Sequence, residues 1–161
     1  MGIPDALYTS SPGFAVTLDM THEAGPKMKA ANRSIRILIA DDQPIIRTIV
    51  RSTLEKIPRF EVCAEAVDGA KAIEQAQSLK PDVIVLDVTM PVLNGFEAAR
   101  KIKAILPETA IVILSSHADE RFVAAAKKIG VRSSVAKSKA GEALVKAIEA
   151  AVQGEDFVLV G

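Results

Sequence analysis

From residue 33 onward the chain alternates between short apolar runs and longer stretches whose apolar residues recur every three or four positions. The apolar runs are residues 35–40, 60–65, 83–86, 110–114 and 131–136, and their content of Ile and Val suits extended strands. Residues 83–86 and 110–114 contain no polar position, the pattern of parallel strands covered on both faces.

Between the runs the period becomes helical. Pro44 suits a first helical turn, where its missing N–H would have no partner anyway. Ile45, Ile46, Ile49, Val50, Leu54 and Ile57 follow at helical spacing until Pro58. Asp68-Gly69 is a turn signal that opens a second helix reaching Leu79. Asn94-Gly95 precedes a third, marked by Phe96, Ala99, Ile102, Ile105 and Leu106 and stopped by Pro107. Phe122, Val123, Ala126 and Ile129 mark a fourth, with Gly130 as its C′ residue. Leu144, Val145, Ile148 and Val152 mark a fifth. Such regular alternation predicts an α/β fold, a parallel sheet with helices on both faces.

Residues 1–32 break the pattern. They carry Pro4, Pro12, Gly13, Gly25 and Pro26 without a sustained period, which predicts a flexible N-terminal extension. Residues 154–161 read as a short C-terminal tail, leaving 33–153 as one domain. The chain's 20 basic and 20 acidic residues give no electrostatic reason to expect direct contact with nucleic acid or a membrane. No apolar run approaches a membrane span and no secretory signal opens the chain, so a cytoplasmic protein is expected. Cys63 is the single cysteine, which excludes an intramolecular disulfide; its apolar surroundings predict burial as a small hydrophobe.

The candidate chemistry sits where the predicted strands end. Asp41-Asp42 follows the first, Asp87 the third, Ser115 the fourth and Lys137 the fifth; the run at 60–65 carries no comparable group. In an open parallel sheet these carboxyl ends lie along one edge, where ligands bind. Carboxylates are the protein ligands that Mg2+ prefers. Asp87 follows a wholly apolar strand, and a carboxylate there needs a counter-charge. A cation shared with Asp41 and Asp42 would supply one. A carboxylate can also attack a phosphoryl group and form an acyl phosphate, with the metal offsetting repulsion between the two anions. A hydroxyl and an ammonium can then bind the phosphoryl oxygens. Each residue alone has a plainer reading: a capping acid, a turn serine, a surface lysine. Their conjunction points to a magnesium-and-phosphate site.

The stretches ILIADDQPIIR at 37–47, DVIVLDVTMPVLNGFEAARKIK at 82–103 and IVILSSH at 111–117, with the Lys137 region, resemble the receiver domain of bacterial two-component response regulators. The resemblance spans residues 35–153. It implies a flavodoxin-like, five-stranded parallel sheet in the order 2-1-3-4-5, flanked by five helices. It further implies that Asp87 is the phosphoacceptor. Asp42 and Asp87 would bind Mg2+ directly, Asp41 would assist through water, and Thr89 would lend its main-chain carbonyl. Ser115 would be the switch hydroxyl and Lys137 its ammonium partner, while the side chains of Thr89 and His117 would border the phosphoryl group. The implied partners are a sensor histidine kinase or phosphotransfer protein as donor, and a downstream protein or output domain.

Two positions depart from the family pattern. Ser134 stands where receivers often carry Tyr or Phe, three residues before the lysine, and Ser138 replaces the common proline after it. Two further functional readings follow. One is a magnesium-dependent phosphohydrolase with an aspartate nucleophile, disfavoured because Thr89 stands where such enzymes carry a second Asp. The other is a degenerate receiver that binds partners without phosphorylation, against which Asp41, Asp42, Asp87 and Lys137 all weigh.

Overall fold

A computed structural model describes residues 33–116 and 119–159, so the expected 1–32 extension and His117 lie outside the described residues. The elements run β1 (Ile35–Ala40), α1 (Pro44–Leu54), β2 (Phe60–Ala66), α2 (Gly69–Leu79), β3 (Val83–Asp87) and α3 (Gly95–Ile105). They continue with β4 (Ala110–Ser115), α4 (Glu120–Lys128), β5 (Ser133–Ala136), α5 (Ala140–Val152) and β6 (Phe157–Leu159). A single 3-10 turn, Lys137–Lys139, joins β5 to α5. All strand pairs are parallel, in the order β2-β1-β3-β4-β5-β6.

Alternation along the strands builds a core on each face of the sheet. Ile35, Ile37 and Ile39 of β1 face one side, with Val50 and Leu54 of α1 and Leu144, Ala147 and Ile148 of α5. Leu38 and Ala40 face the other, with Ala72 and Ala76 of α2, Ala98, Ala99 and Ile102 of α3, and Ala126 of α4. The Phe96 and Phe122 rings, 5.0 Å apart, join α3 to α4. Asp68, Asn94 and Asp119 cap α2, α3 and α4 by accepting from the N–H groups of Lys71, Glu97 and Phe122.

The sheet has six strands among the described residues where five were expected, the sixth being Phe157–Leu159. Gly154 adopts φ +77°, and its N–H donates to the Ala151 carbonyl while that of Glu155 donates to Ala150. This left-handed turn ends α5 and sends the chain back along β5. Asp156 then meets Arg132 at 2.8 Å and Lys127 at 3.4 Å, and Phe157 and Leu159 pack against the core. A three-residue strand is too short to show a period, which is why the pattern of the chain did not reveal it.

Smaller differences have local causes. The strand expected over 131–136 begins at Ser133, because the Val131 N–H is taken by the Ala126 carbonyl in the turn that closes α4 at Gly130. The first helix ends at Leu54, and Ile57 packs from the turn that follows. Cys63 is half-buried instead of fully buried: the β1–β2 register jumps from Ile37↔Val62 to Leu38↔Ala64, leaving it at a bulge. Partial burial still pushes its thiol pKa up, which disfavours the reactive thiolate.

A Cβ at residue 154 would meet nothing within 4 Å, so only its backbone conformation opposes substitution. Gly154→Ala is expected to cost about 1 kcal/mol, the penalty of a left-handed alanine, read by urea unfolding. Faster amide exchange should accompany it in β6 and not in β1. An unchanged midpoint would show that the turn does not hold β6 in place.

Candidate functional site

The sheet order sets the acidic and basic groups side by side. Asp41 and Asp42 follow β1, Asp87 ends β3 beside Leu114 of β4, and Ser115 pairs with Ala136, which precedes Lys137. Asp41, Asp87 and Ser115 are buried, whereas Asp42 is exposed. One carboxylate oxygen from each of Asp41, Asp42 and Asp87 lies within 4.8 Å of the others. All the predicted strand-end residues therefore share one edge, and the three acids converge on one point.

Lys137 reaches across from β5. Its Nζ lies 3.1 Å from Asp41 Oδ2 and 3.2 Å from Asp87 Oδ1. Burial alone would lower this ammonium's pKa, but contact with Asp41 and the charges of both carboxylates hold it above the usual lysine value. Burial, and next the charge of Asp41, raise the Asp87 carboxyl above its usual value against the pull of Lys137 and the Thr89 N–H. One cation thus serves two buried acids.

The compensation is incomplete. Asp41 Oδ1 accepts from the Gln43 N–H at 2.8 Å, whereas its Oδ2 has the ionic contact but no aligned hydrogen bond. Asp87 Oδ2 is buried and has no hydrogen-bond partner. An unpartnered buried carboxylate oxygen amid three acids is what a divalent cation would satisfy, so the donor set fits Mg2+. The acidic pair is not a helix cap: residue Gln43 occupies the N-cap of α1, and no acid lies in its first turn.

The chain approaches itself closely behind Asp87. A Cβ on Gly95 would lie 2.1 Å from the Asp87 main-chain oxygen, so only glycine lets α3 start against the end of β3. The Gly95 N–H donates to Val88 at 2.8 Å and closes the loop. Thr89 in this loop is exposed. Val92 is held at φ +68°, a strained conformation for a β-branched residue, and its side chain stands free in solvent.

The β2 run, read above as carrying no useful group, ends in one. Glu65 accepts from Arg47 Nε at 2.9 Å and Arg51 Nε at 2.6 Å. Arg47 Nη1 in turn donates to the main-chain oxygen of Asp41 at 2.7 Å. Arg51 and then Arg47 hold the Glu65 carboxyl below its usual range, against its partial burial. The available signal was two arginines four apart on α1 and an acid at the end of the neighbouring strand.

The sequence profile of the response regulator receiver domain matches residues 37–149. The chain belongs to this family. The receiver is 36% identical over 124 residues to the transcriptional regulatory protein DegU of Brevibacillus brevis, which covers 77% of the chain and 52% of DegU. It is 40% identical over 121 residues to the uncharacterized transcriptional regulatory protein YxjL of Bacillus subtilis, covering 75% of the chain and 56% of that protein. Its fold is similar to the crystal structure of a LuxR-family two-component response regulator from Aurantimonas sp. SI85-9A1. The TM-score is 0.74 at 35% identity, over 77% of this chain and 89% of that one. The chain spans about half the length of the curated relatives it matches. Among the described residues no helix is long and apolar enough to cross a membrane.

The raised Asp87 pKa has a sign that unfolding can read. The folded value lies above the unfolded one, so this group's stabilising share is present below the unfolded pKa and lost as pH rises through the folded pKa. Without divalent cation, Asp87→Asn is therefore expected to be more stable than wild type at neutral pH by about 1–2 kcal/mol. The gap should close as acid protonates Asp87. Equal stabilities at neutral pH would mean that Lys137 compensates both acids fully.

Proposed function

We propose that the receiver takes a phosphoryl group on Asp87 and uses the change at that edge to control an output partner. The observation that carries this reading is the Lys137 ammonium shared by Asp41 and Asp87 beside a carboxylate oxygen without a partner. Asp42 and Asp87 would hold Mg2+ directly, Asp41 through water, with the Thr89 carbonyl as a further ligand. When bound, the ion would neutralise the incoming phosphoryl oxygens and the acids around them.

The transfer is a displacement at phosphorus. An Asp87 oxygen forms the new P–O bond while the bond to the donor breaks, and the donor atom keeps the electron pair. Asp87 thereby exchanges a carboxylate for an acyl phosphate. Lys137 loses one of its two anions and pairs with a phosphoryl oxygen instead, and the Ser115 hydroxyl donates to another. Both residues sit on the β4–β5 side of Asp87, so the rearrangement pulls on that side of the sheet.

A protein donor, a sensor histidine kinase or phosphotransfer protein, suits the rim. Ile45 and Ile49 lie one turn apart on the helix that starts after Asp42, Val67 follows β2, and Val92 follows β3; all four side chains are exposed. Apolar groups on α1 and on the loops after β2 and β3 favour a macromolecular partner over a small anion alone. Output through an aromatic at 134 is excluded by composition: Ser134 is buried, paired with Ile113 on one side and Val158 of β6 on the other. The signal then passes through β5 to β6 and α4, and on to a protein partner or output domain. The transcriptional regulators similar to this chain make a DNA-binding output one candidate.

Incubation with Mg2+ and acetyl phosphate, followed by intact-mass analysis, tests the site. Wild type is expected to gain one phosphoryl group, lost in Asp87→Asn. An adduct that persists in the variant would move the acceptor elsewhere. A folded wild type that stays unmodified with every donor would favour the phosphorylation-independent binding module.

A further inference from the structure

The acids of the site are aimed by main chain that another element holds. Asp41 is clamped on both of its backbone groups. Its N–H donates to the Ala66 carbonyl at 3.1 Å, and its carbonyl accepts from Arg47 Nη1 at 2.7 Å. Ala66 ends β2, and Glu65 beside it fixes Arg47 through Nε at 2.9 Å. Consecutive residues at the end of one strand therefore grip the turn that starts the acidic pair. The Arg47 side chain is only 16% exposed, so the grip is shielded from water and salt.

We infer that Arg47, locked by Glu65, is a positioning residue for the metal site: it sets the Asp41-Asp42 turn and thereby the receiver's affinity for Mg2+. This rests on the proposed Mg2+ role of Asp41, Asp42 and Asp87. The physical reason is geometric. Asp42 is exposed and follows directly on the clamped carbonyl, so a loosened turn lets its carboxylate drift from the other two. Like charges within 4.8 Å of one another would drive that drift when no ion holds them. A fork is required, because Arg47 bonds Glu65 through Nε and Asp41 through Nη1 at the same time. Arg51 supplies the control. It bonds the other Glu65 oxygen and Glu55, and has no bond to Asp41.

Calorimetric titration of the full chain with MgCl2 tests the inference without phosphorylation. Arg47→Met keeps the aliphatic stem and is expected to raise the magnesium Kd about 10-fold, as loss of an outer-sphere support does. Glu65→Gln should weaken binding in the same direction and by less, since one amide cannot serve two guanidinium groups in the same way. Arg51→Met should leave Kd unchanged, although it removes an ion pair from the same helix. Wild-type affinity in Arg47→Met would overturn the positioning role while leaving the metal site intact. Equal losses in Arg47→Met and Arg51→Met would overturn it too, by tracing the effect to the helix–strand ion pairs in general. Should Arg47→Met not fold, Glu65→Gln against Arg51→Met carries the same comparison. A wild type without magnesium affinity would instead overturn the proposed function itself.

Discussion

One ammonium between two buried carboxylates governs this site. Lys137 Nζ stands about equally far from Asp41 and Asp87, at 3.1 and 3.2 Å, and Asp42 adds a third charge at the rim. Burying acids is costly unless they are paired, and here one cation is shared between two of them. The site is therefore under electrostatic tension before any ligand arrives. That tension is what a bound divalent cation would relieve and what loss of the Asp87 negative charge would change.

The rest of the structure serves to hold the tension in place. The order β2-β1-β3-β4-β5 puts the ends of β1, β3, β4 and β5 next to one another, so residues from 41 to 137 can meet at one edge. Apolar strands covered on both faces keep those ends from yielding. Gly95 lets the following helix start against Asp87, and Arg47 with Glu65 holds the turn at Asp41. β6 closes the far edge along β5, the strand that leads into Lys137.

What was legible in the chain divides by range of interaction. The central strands were readable because burial on both faces leaves no polar residue in 83–86 or 110–114. The helices announced themselves through apolar residues at helical spacing, bounded by turn signals and prolines. The strand-end residues could be grouped because a parallel sheet puts strand ends on one edge whatever the loops do. The features that escaped have no local signature. β6 is three residues long and is held by contacts from Asp156 to Arg132 and Lys127. The bulge at Cys63 is a matter of register between two strands. Glu65 looked like one more polar position in β2 until the fold brought Arg47 and Arg51 over it.

A double-mutant cycle of Lys137→Met and Asp87→Asn, measured by urea unfolding without divalent cation, addresses the shared ammonium most directly. If Lys137 restrains repulsion between Asp41 and Asp87, its loss must cost more when Asp87 is charged than when it is asparagine. A coupling energy of about 1 kcal/mol or more at neutral pH, falling away in acid, is the expected result. Additive effects at neutral pH would contradict the account, since they would mean that the two residues do not share an electrostatic balance.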